Sequence, residues 1–187
     1  MKKINVVLVV LFCIFGILGC QKSIPKIEND IEASEQLWGT WTQTRLTEGA
    51  IHNDEEDQSL VSGIASFNTF TEIVFDEEQK MKTTISYKLL SYESQDDEIP
   101  VSMEYLEEYF SQVMKIEAKY SASKTQLQYE NEVITINDDI FLYDDFLLLN
   151  PSASPKIETV SWKIEDNKLF ITTQLGEEVI ESVYYKK

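Results

Sequence analysis

Apolar and polar side chains alternate in the C-terminal third of the chain. Residues 160–165 read VSWKIE, a period-two pattern typical of a strand with one buried and one solvated face. Asp166-Asn167 predicts a tight turn, because both residue types tolerate positive φ. Residues 169–175 alternate again, Gly176 turns the chain, and a last strand is predicted over Val179–Tyr185. Strands joined by such turns form an antiparallel meander.

Short runs rich in β-branched and aromatic residues fill the rest of the chain from Leu37 onward. Separated by turn signals, they predict an all-β sandwich or barrel. Further strands are expected over Trp38–Leu46, Phe70–Phe75, Met81–Tyr92, Lys115–Tyr120, Thr125–Tyr129, Glu132–Ile136, Ile140–Tyr143 and Phe146–Leu149. Residues 150–155 carry two prolines and predict a loop, because proline cannot donate to a central β-ladder.

One segment has helical periodicity instead. In SMEYLEEYFSQVM the apolar side chains recur every three or four residues, and Ser102 stands where an N-cap belongs. We expect a helix from Met103 to Met114 that covers one face or end of the sheet; binding of a partner protein is the alternative. A second short helix is predicted over Glu28–Gln36, inside a polar segment.

The N-terminus has the layout of a secretory signal. Lys2 and Lys3 precede an apolar run, Ile4–Leu18, which is shorter than the roughly 20 residues of a membrane-spanning helix. An uncleaved anchor helix is the alternative. Ile17-Leu18-Gly19-Cys20 resembles the lipobox of bacterial lipoproteins. The resemblance implies cleavage before Cys20, which would carry lipid such as palmitate on its sulfur and amine and anchor the chain in the cell envelope.

This layout divides the chain into a signal peptide at 1–19, a lipidated tether at 20–36 and a β domain at 37–187. Cys13 leaves with the signal and Cys20 is lipidated, so no thiol remains for disulfides, metal binding or catalysis. By the family rule, Gln21 after the cysteine directs the protein to the outer membrane if the cell has two membranes.

The formal net charge is −17, from 33 acidic and 16 basic residues. Such a surface repels phosphate backbones, so nucleic acid is not expected as a partner. It also repels anionic headgroups, which leaves lipidated Cys20 as the expected contact with the membrane. The charge has two readings: it keeps the protein soluble, or it recruits a cationic partner protein.

Leu37-Trp38-Gly39-Thr40-Trp41 brings a Gly-x-Trp motif to the start of the first predicted strand. With the lipobox, the tether and the C-terminal meander, it resembles the bacterial lipocalin-like lipoproteins. The resemblance implies a lipocalin-like antiparallel barrel of about eight strands. In that family the Trp plugs the closed end and the Gly admits a neighbouring segment.

The family also places an arginine from the last strand over the Trp. Here the single arginine, Arg45, lies on the first predicted strand. Lys186 would substitute as the cation over Trp41, less well than arginine because it lacks a planar face. The mid-chain helix is a second departure from the family. Because of this departure, an incomplete barrel and a two-sheet sandwich remain alternatives to a closed barrel.

No catalytic constellation stands out. The single histidine, His52, is predicted to lie in a polar acidic loop and is interpreted as a surface residue. Several runs of neighbouring carboxylates would suit a hydrolase or a calcium site. They lack the calcium-loop pattern and are interpreted as solvated loops. These runs are Asp54-Glu55-Glu56-Asp57, Asp96-Asp97-Glu98, Asp138-Asp139 and Asp144-Asp145. We expect no enzyme activity, no cofactor and no metal.

The barrel hypothesis predicts a central cup in which a ligand would bind. Side chains expected to line it are Tyr87, Trp162, Ile164, Ile171 and Tyr185; the alternative is that they fill a solid core. By analogy the protein is a binding module for a small apolar ligand. A surface lipoprotein that acts through protein contacts, in the envelope or with a host, is the second hypothesis.

Overall fold

A computed structural model describes residues 26–52, 61–94, 103–136, 139–142, 157–175 and 178–187. The predicted signal peptide, Cys20 and the first part of the tether lie outside these ranges, as do the predicted strand Phe146–Leu149 and the loop 150–155. Within the described ranges, no helix has the length and apolar character needed to cross a membrane.

Over the described ranges the chain is mainly β, with two short helices. Its elements in order are α1 (Ile31–Leu37), β1 (Gly39–His52), β2 (Val61–Phe75), β3 (Lys80–Ser94), α2 (Met103–Phe110), β4 (Val113–Ala122), β5 (Gln126–Ile136), β6 (Asp139–Leu142), β7 (Ile157–Glu165), β8 (Lys168–Leu175) and β9 (Glu178–Lys186).

Eight of the strands form a closed antiparallel barrel. The hydrogen-bonded order is β4-β3-β2-β1-β9-β8-β7-β5, and a further pairing between β4 and β5 closes the ring. The predicted fold class, a lipocalin-like antiparallel barrel, is therefore confirmed. Closure decides against the incomplete barrel and the two-sheet sandwich.

β5 contacts two strands along the same edge. Its first half, Gln126–Glu130, pairs with β7, and its second half, Val133–Ile136, pairs with β6. β6 therefore adds a short strand at the rim and leaves the ring closed.

Tight turns gather at one end of the barrel, which we call the closed end. The β2–β3 turn begins at Asp76, whose carboxylate accepts from the backbone N–H groups of Glu78 and Lys80, both at 2.9 Å. Asp166 and Asn167 form the β7–β8 turn with φ of 51° and 60°, as their residue types predict. Strands connected by such short turns are held in fixed register at this end.

The main hydrophobic core fills the closed end. Leu37 from α1 packs there with Trp41, Phe75 and Leu127, each no more than 2 % exposed. Toward the opposite end β1, β2 and β3 run on past their neighbours. A second cluster forms there, in which Leu106 of α2 packs with Ala65 and Phe67.

Several predicted boundaries differ from those observed. The mid-chain helix ends at Phe110, because Val113 and Met114 already belong to β4. β1 runs to His52, so the histidine ends a strand instead of lying in a loop. β2 starts at Val61, well before the predicted Phe70.

α1 confirms the short helix predicted upstream of the barrel and corrects its role. Asp30 caps it by accepting from the Ala33 N–H at 3.2 Å, and Ala33, Ser34 and Leu37 are buried. Just before the helix, Asn29 accepts from the backbone N–H of Ala122 in β4 at 2.9 Å. This segment therefore belongs to the barrel domain, which begins before the predicted Leu37.

Candidate functional site

Trp41 seals the closed end of the barrel. Its side chain is 1 % exposed, and its indole Nε1–H donates to the Leu37 carbonyl at 2.6 Å. This hydrogen bond ties the first strand to the end of α1. The buried position agrees with the role that the Gly-x-Trp resemblance implies.

A lysine from the last strand lies over Trp41. The Lys186 Nζ is 5.1 Å from the centre of the ring, close enough for a cation–π contact, as predicted from the sequence. Gly39 has a φ of 113°, and a Cβ at this position would lie 3.4 Å from the Lys186 Cε. The glycine therefore provides an unusual backbone angle where the lysine passes.

At the closed end, three of the predicted cup residues lie on the inner face. Trp162 is 5 % exposed within the core, and its Nε1–H donates to the Ser123 carbonyl at 2.9 Å. Ile164 and Ile171 pack against the same core but are only partly buried. Trp162 thus behaves as a core residue, whereas the two isoleucines border the interior.

Tyr87 lies further along the barrel, beside the second cluster. Its ring meets that of Phe67 edge to face, with centroids 6.0 Å apart. Burial raises the pKa of Tyr87 to about 12. The neutral phenol is therefore the form present at physiological pH.

Tyr185 does not line the interior, and this prediction is wrong in placement. The side chain is 54 % exposed on the outer face, with the Lys168 Nζ 5.7 Å from its ring centre. Its neighbour Tyr184 points inward and is 5 % exposed. Burial raises the pKa of Tyr184, and a hydrogen bond from Ser182 opposes the shift. Successive residues of a strand point to opposite faces of the sheet, so an error of one residue in the predicted alternation places a side chain on the wrong face.

A polar wall lies on the inner face of β2 and β3. Thr69, Thr71 and Thr83 are each no more than 7 % exposed. Thr69 and Thr71 lie on β2 between the buried Phe67 and the buried Ile73. The Thr69 hydroxyl lies 3.4 Å from that of Thr47 on β1. We missed this wall in the sequence, although FNTFTEIVF contains the period-two signal that would locate it.

An apolar wall continues the inner face across β3, β4 and β5. Ile85, Met114, Ile116 and Ile134 are each no more than 3 % exposed, and the register places Ile85 opposite Met114 and Ile116 opposite Ile134. The interior therefore has a threonine-bearing side and an aliphatic side.

The seam between β1 and β9 is short. Among the described residues, Trp41 with Lys186 and Thr42 with Tyr185 are the only pairs along it. At the next residue a side chain makes the contact between the two strands: the Gln43 Nε2–H donates to the Val183 carbonyl at 3.1 Å. The described part of the ring is thus held at this seam by few backbone contacts.

The carboxylates of the described residues form no cluster suited to a metal. No group of three or more histidine, cysteine or acidic side chains comes together in these parts of the chain. Of the predicted acidic runs, those at 54–57, 96–98 and 144–145 lie outside the described residues, and Asp138 does too. A polar cleft of about 210 Å³ on the outer surface is lined by Lys26, Glu78, Gln79, Lys119, Tyr120, Ser121, Gln128, Tyr129 and Glu130.

The sequence was also compared with known proteins. It matches no known protein family, and no curated protein is similar to it. The barrel and the inner face described above therefore carry the functional argument.

Proposed function

We propose that this chain is a membrane-anchored bacterial lipoprotein whose lipocalin-like barrel is a non-catalytic binding module for a small apolar ligand. One observation carries the proposal. Ile164, Ile171 and Tyr87 lie on the inner face of a closed barrel, yet they are only partly buried. Barrels of about eight strands have room for one small ligand. Apolar side chains with a few polar groups are the usual lining of such a site.

The closed end supports the same function. Trp41, α1 and the tight turns block that end, so a ligand would be held between this plug and the opposite end. Mutually supported side chains there provide the rigid floor that a preformed pocket needs.

The anchor is the second part of the proposal. Cys20 would carry the lipid, and Ile17-Leu18-Gly19 before it would direct cleavage. Two or more acyl chains hold a protein on a membrane far better than one. Labelled palmitate should join the wild-type chain and not Cys20→Ser. Label in the Cys20→Ser variant, or a mature wild-type chain found free in the medium, would contradict the anchor. Gln21 supports the outer membrane as the location in a cell with two membranes.

Native mass spectrometry tests ligand binding most simply. Protein extracted from its own membrane should retain a small molecule that is lost on unfolding. The matched measurement is Trp fluorescence during titration with a hydrophobic probe, since Trp162 lies in the core against which Ile164 and Ile171 pack. A ligand-free spectrum together with no probe-dependent change in fluorescence would contradict a binding role.

A surface lipoprotein that acts through protein contacts is the alternative function. The observation in its favour is a set of exposed apolar side chains on the outer face of β1–β3. These are Leu46 at 61 %, Ile64 at 41 %, Phe70 at 39 % and Leu90 at 49 % exposed. Exposed apolar residues grouped on one face mark interaction sites. Under this alternative, Leu46→Ser with Phe70→Ser would abolish partner binding and leave ligand retention unchanged.

A further inference from the structure

Hydrogen bonds fix the N-terminal segment to the closed end of the barrel. The Ile27 N–H donates to the side-chain oxygen of Gln128 at 3.2 Å, and Gln128 is itself buried. Three residues later the Asp30 N–H donates to the Ala122 carbonyl at 2.7 Å, next to the turn between β4 and β5. The chain is therefore held against the closed end from residue 27 onward.

The length of chain between Cys20 and this attachment limits where a lipid anchor can lie. Ile27 follows Cys20 by seven positions, and seven residues span at most about 25 Å when fully extended. β3 runs from Lys80 at the closed end to Ser94 at the opposite end, which we call the far end. Allowing for strand tilt, its length gives a height of about 35 Å. The anchor thus keeps the closed end near the membrane, but it would also let the barrel lie on its side.

The far end is strongly acidic. Among the described residues of that end, beyond Arg45 on β1 and Lys88 on β3, there are acidic side chains and no basic ones. The acidic residues are Glu48, Glu93, Glu104, Glu107, Glu108 and Glu178. The stretches of sequence that join the strand ends on this side add eleven acidic residues and one lysine. These stretches are residues 53–60, 95–102, 137–138, 143–156 and 176–177.

The closed end carries charges of both signs in nearly equal number. Seven lysines lie at its turns and strand ends: Lys26, Lys80, Lys119, Lys124, Lys168, Lys186 and Lys187. Nine acidic residues lie among them, in α1 with the residues before it and at the β2–β3 and β7–β8 turns. The negative charge of the protein is therefore concentrated away from the end at which the tether joins the barrel.

We propose that the closed end is the surface that this protein sets against an anionic membrane, with the far end directed into water. This inference rests on the proposed lipid anchor at Cys20 and adds the orientation of the domain. An anionic bilayer repels negative charge within a Debye length, about 10 Å at 0.1 M salt. A barrel on its side would bring far-end carboxylates into that layer, whereas an upright barrel keeps them outside it. The far end, with α2, is then presented to the surrounding water.

Energy transfer to an acceptor on lipid headgroups tests the orientation. The full chain is expressed with its own signal, purified from the membrane and placed in vesicles of phosphatidylethanolamine and phosphatidylglycerol. Cys13 leaves with the signal and Cys20 is blocked by lipid, so one introduced cysteine takes the fluorescent donor. We expect transfer to be several-fold stronger from a donor at the closed end than from one at the far end.

Glu77→Cys and Glu93→Cys are matched positions for the donor. Glu77 lies in the β2–β3 turn, where its neighbour Glu78 borders the same cleft as Lys26, and Glu93 lies at the far end of β3. Both side chains are exposed and each substitution removes one negative charge, so both variants should unfold at the wild-type temperature. A flexible Gly-Ser insertion after Lys22 lengthens the tether and should weaken transfer from position 77.

Each failure has a distinct meaning. Flotation of the protein with the vesicles shows that the anchor is present, and equal transfer from the two positions would then overturn this inference alone. Stronger transfer from position 93, or transfer from position 77 that the insertion leaves unchanged, would overturn it as well. Protein that does not float with the vesicles would overturn the anchor and the orientation together.

Discussion

Replacement of Trp41 by Phe should destabilise the closed end by about 2 to 4 kcal/mol. The indole Nε1–H donates to the Leu37 carbonyl at 2.6 Å in a fully buried site, and leaving that carbonyl unpaired costs about 1–3 kcal/mol. The smaller ring leaves a gap in the core. In the wild type the Lys186 Nζ lies 5.1 Å from the centre of the Trp41 ring. A phenyl ring makes a weaker cation–π contact, which costs up to about 1 kcal/mol more.

Urea unfolding followed by circular dichroism measures this change without relying on the tryptophan signal. Lys186→Gln is the matched control, because it removes the cation and leaves the hydrogen bond intact. It should cost about 0.5–1 kcal/mol, and the double variant should show coupling of that order. A loss below about 0.5 kcal/mol in Trp41→Phe would refute the proposed seal between β1 and α1.

Three further predictions concern other parts of the barrel. Gly63→Ala should lower the unfolding temperature markedly, because a Cβ there would lie 2.4 Å from the Glu93 carbonyl oxygen and 2.6 Å from the Tyr92 ring; wild-type stability would contradict this packing. Tyr87 holds its proton more tightly when folded, with a pKa of about 12 against 10.0. The free energy of unfolding should thus fall between those values by about 1.4 kcal/mol per pH unit, and Tyr87→Phe should show a shallower fall than the wild type. Asp30→Ala should cost about 1 kcal/mol through loss of the N-cap of α1, whereas Asp30→Asn should retain most of it; equal losses in urea unfolding would contradict capping.

The sequence predicted those features that depend on local chemistry. Period-two alternation located the strands around Trp162 and Ile171, and Asp166-Asn167 marked a turn that has positive φ in the structure. The contact of Lys186 with Trp41 also followed, since the family resemblance requires a cation at this place.

Features that depend on strand register or long-range packing could not be predicted from the sequence. Val113 continues the apolar spacing of the helix, but pairing with Ser86 draws it into β4. In the pair Tyr184-Tyr185, two identical side chains leave the phase of the strand undetermined, and only the pairing of Tyr184 with the buried Leu169 turns it inward.

The candidate site was predictable to a smaller extent than the fold. The threonines at 69 and 71 carry a local signal, but their placement opposite Arg45 and Gln43 of β1 requires the β1–β2 register. Arg45 lies beyond the last β1–β9 pair, at Thr42, and no local pattern encodes where that pairing stops.

Methyl NMR of the isoleucines during titration with an apolar ligand tests the central claim most directly. We expect the largest shifts at the inner-face residues Ile164 and Ile171, while the exposed Ile31 and Ile64 remain unchanged as internal controls. Shifts confined to Ile64 and its outer-face neighbours, with the inner methyl groups unaffected, would contradict an internal binding site.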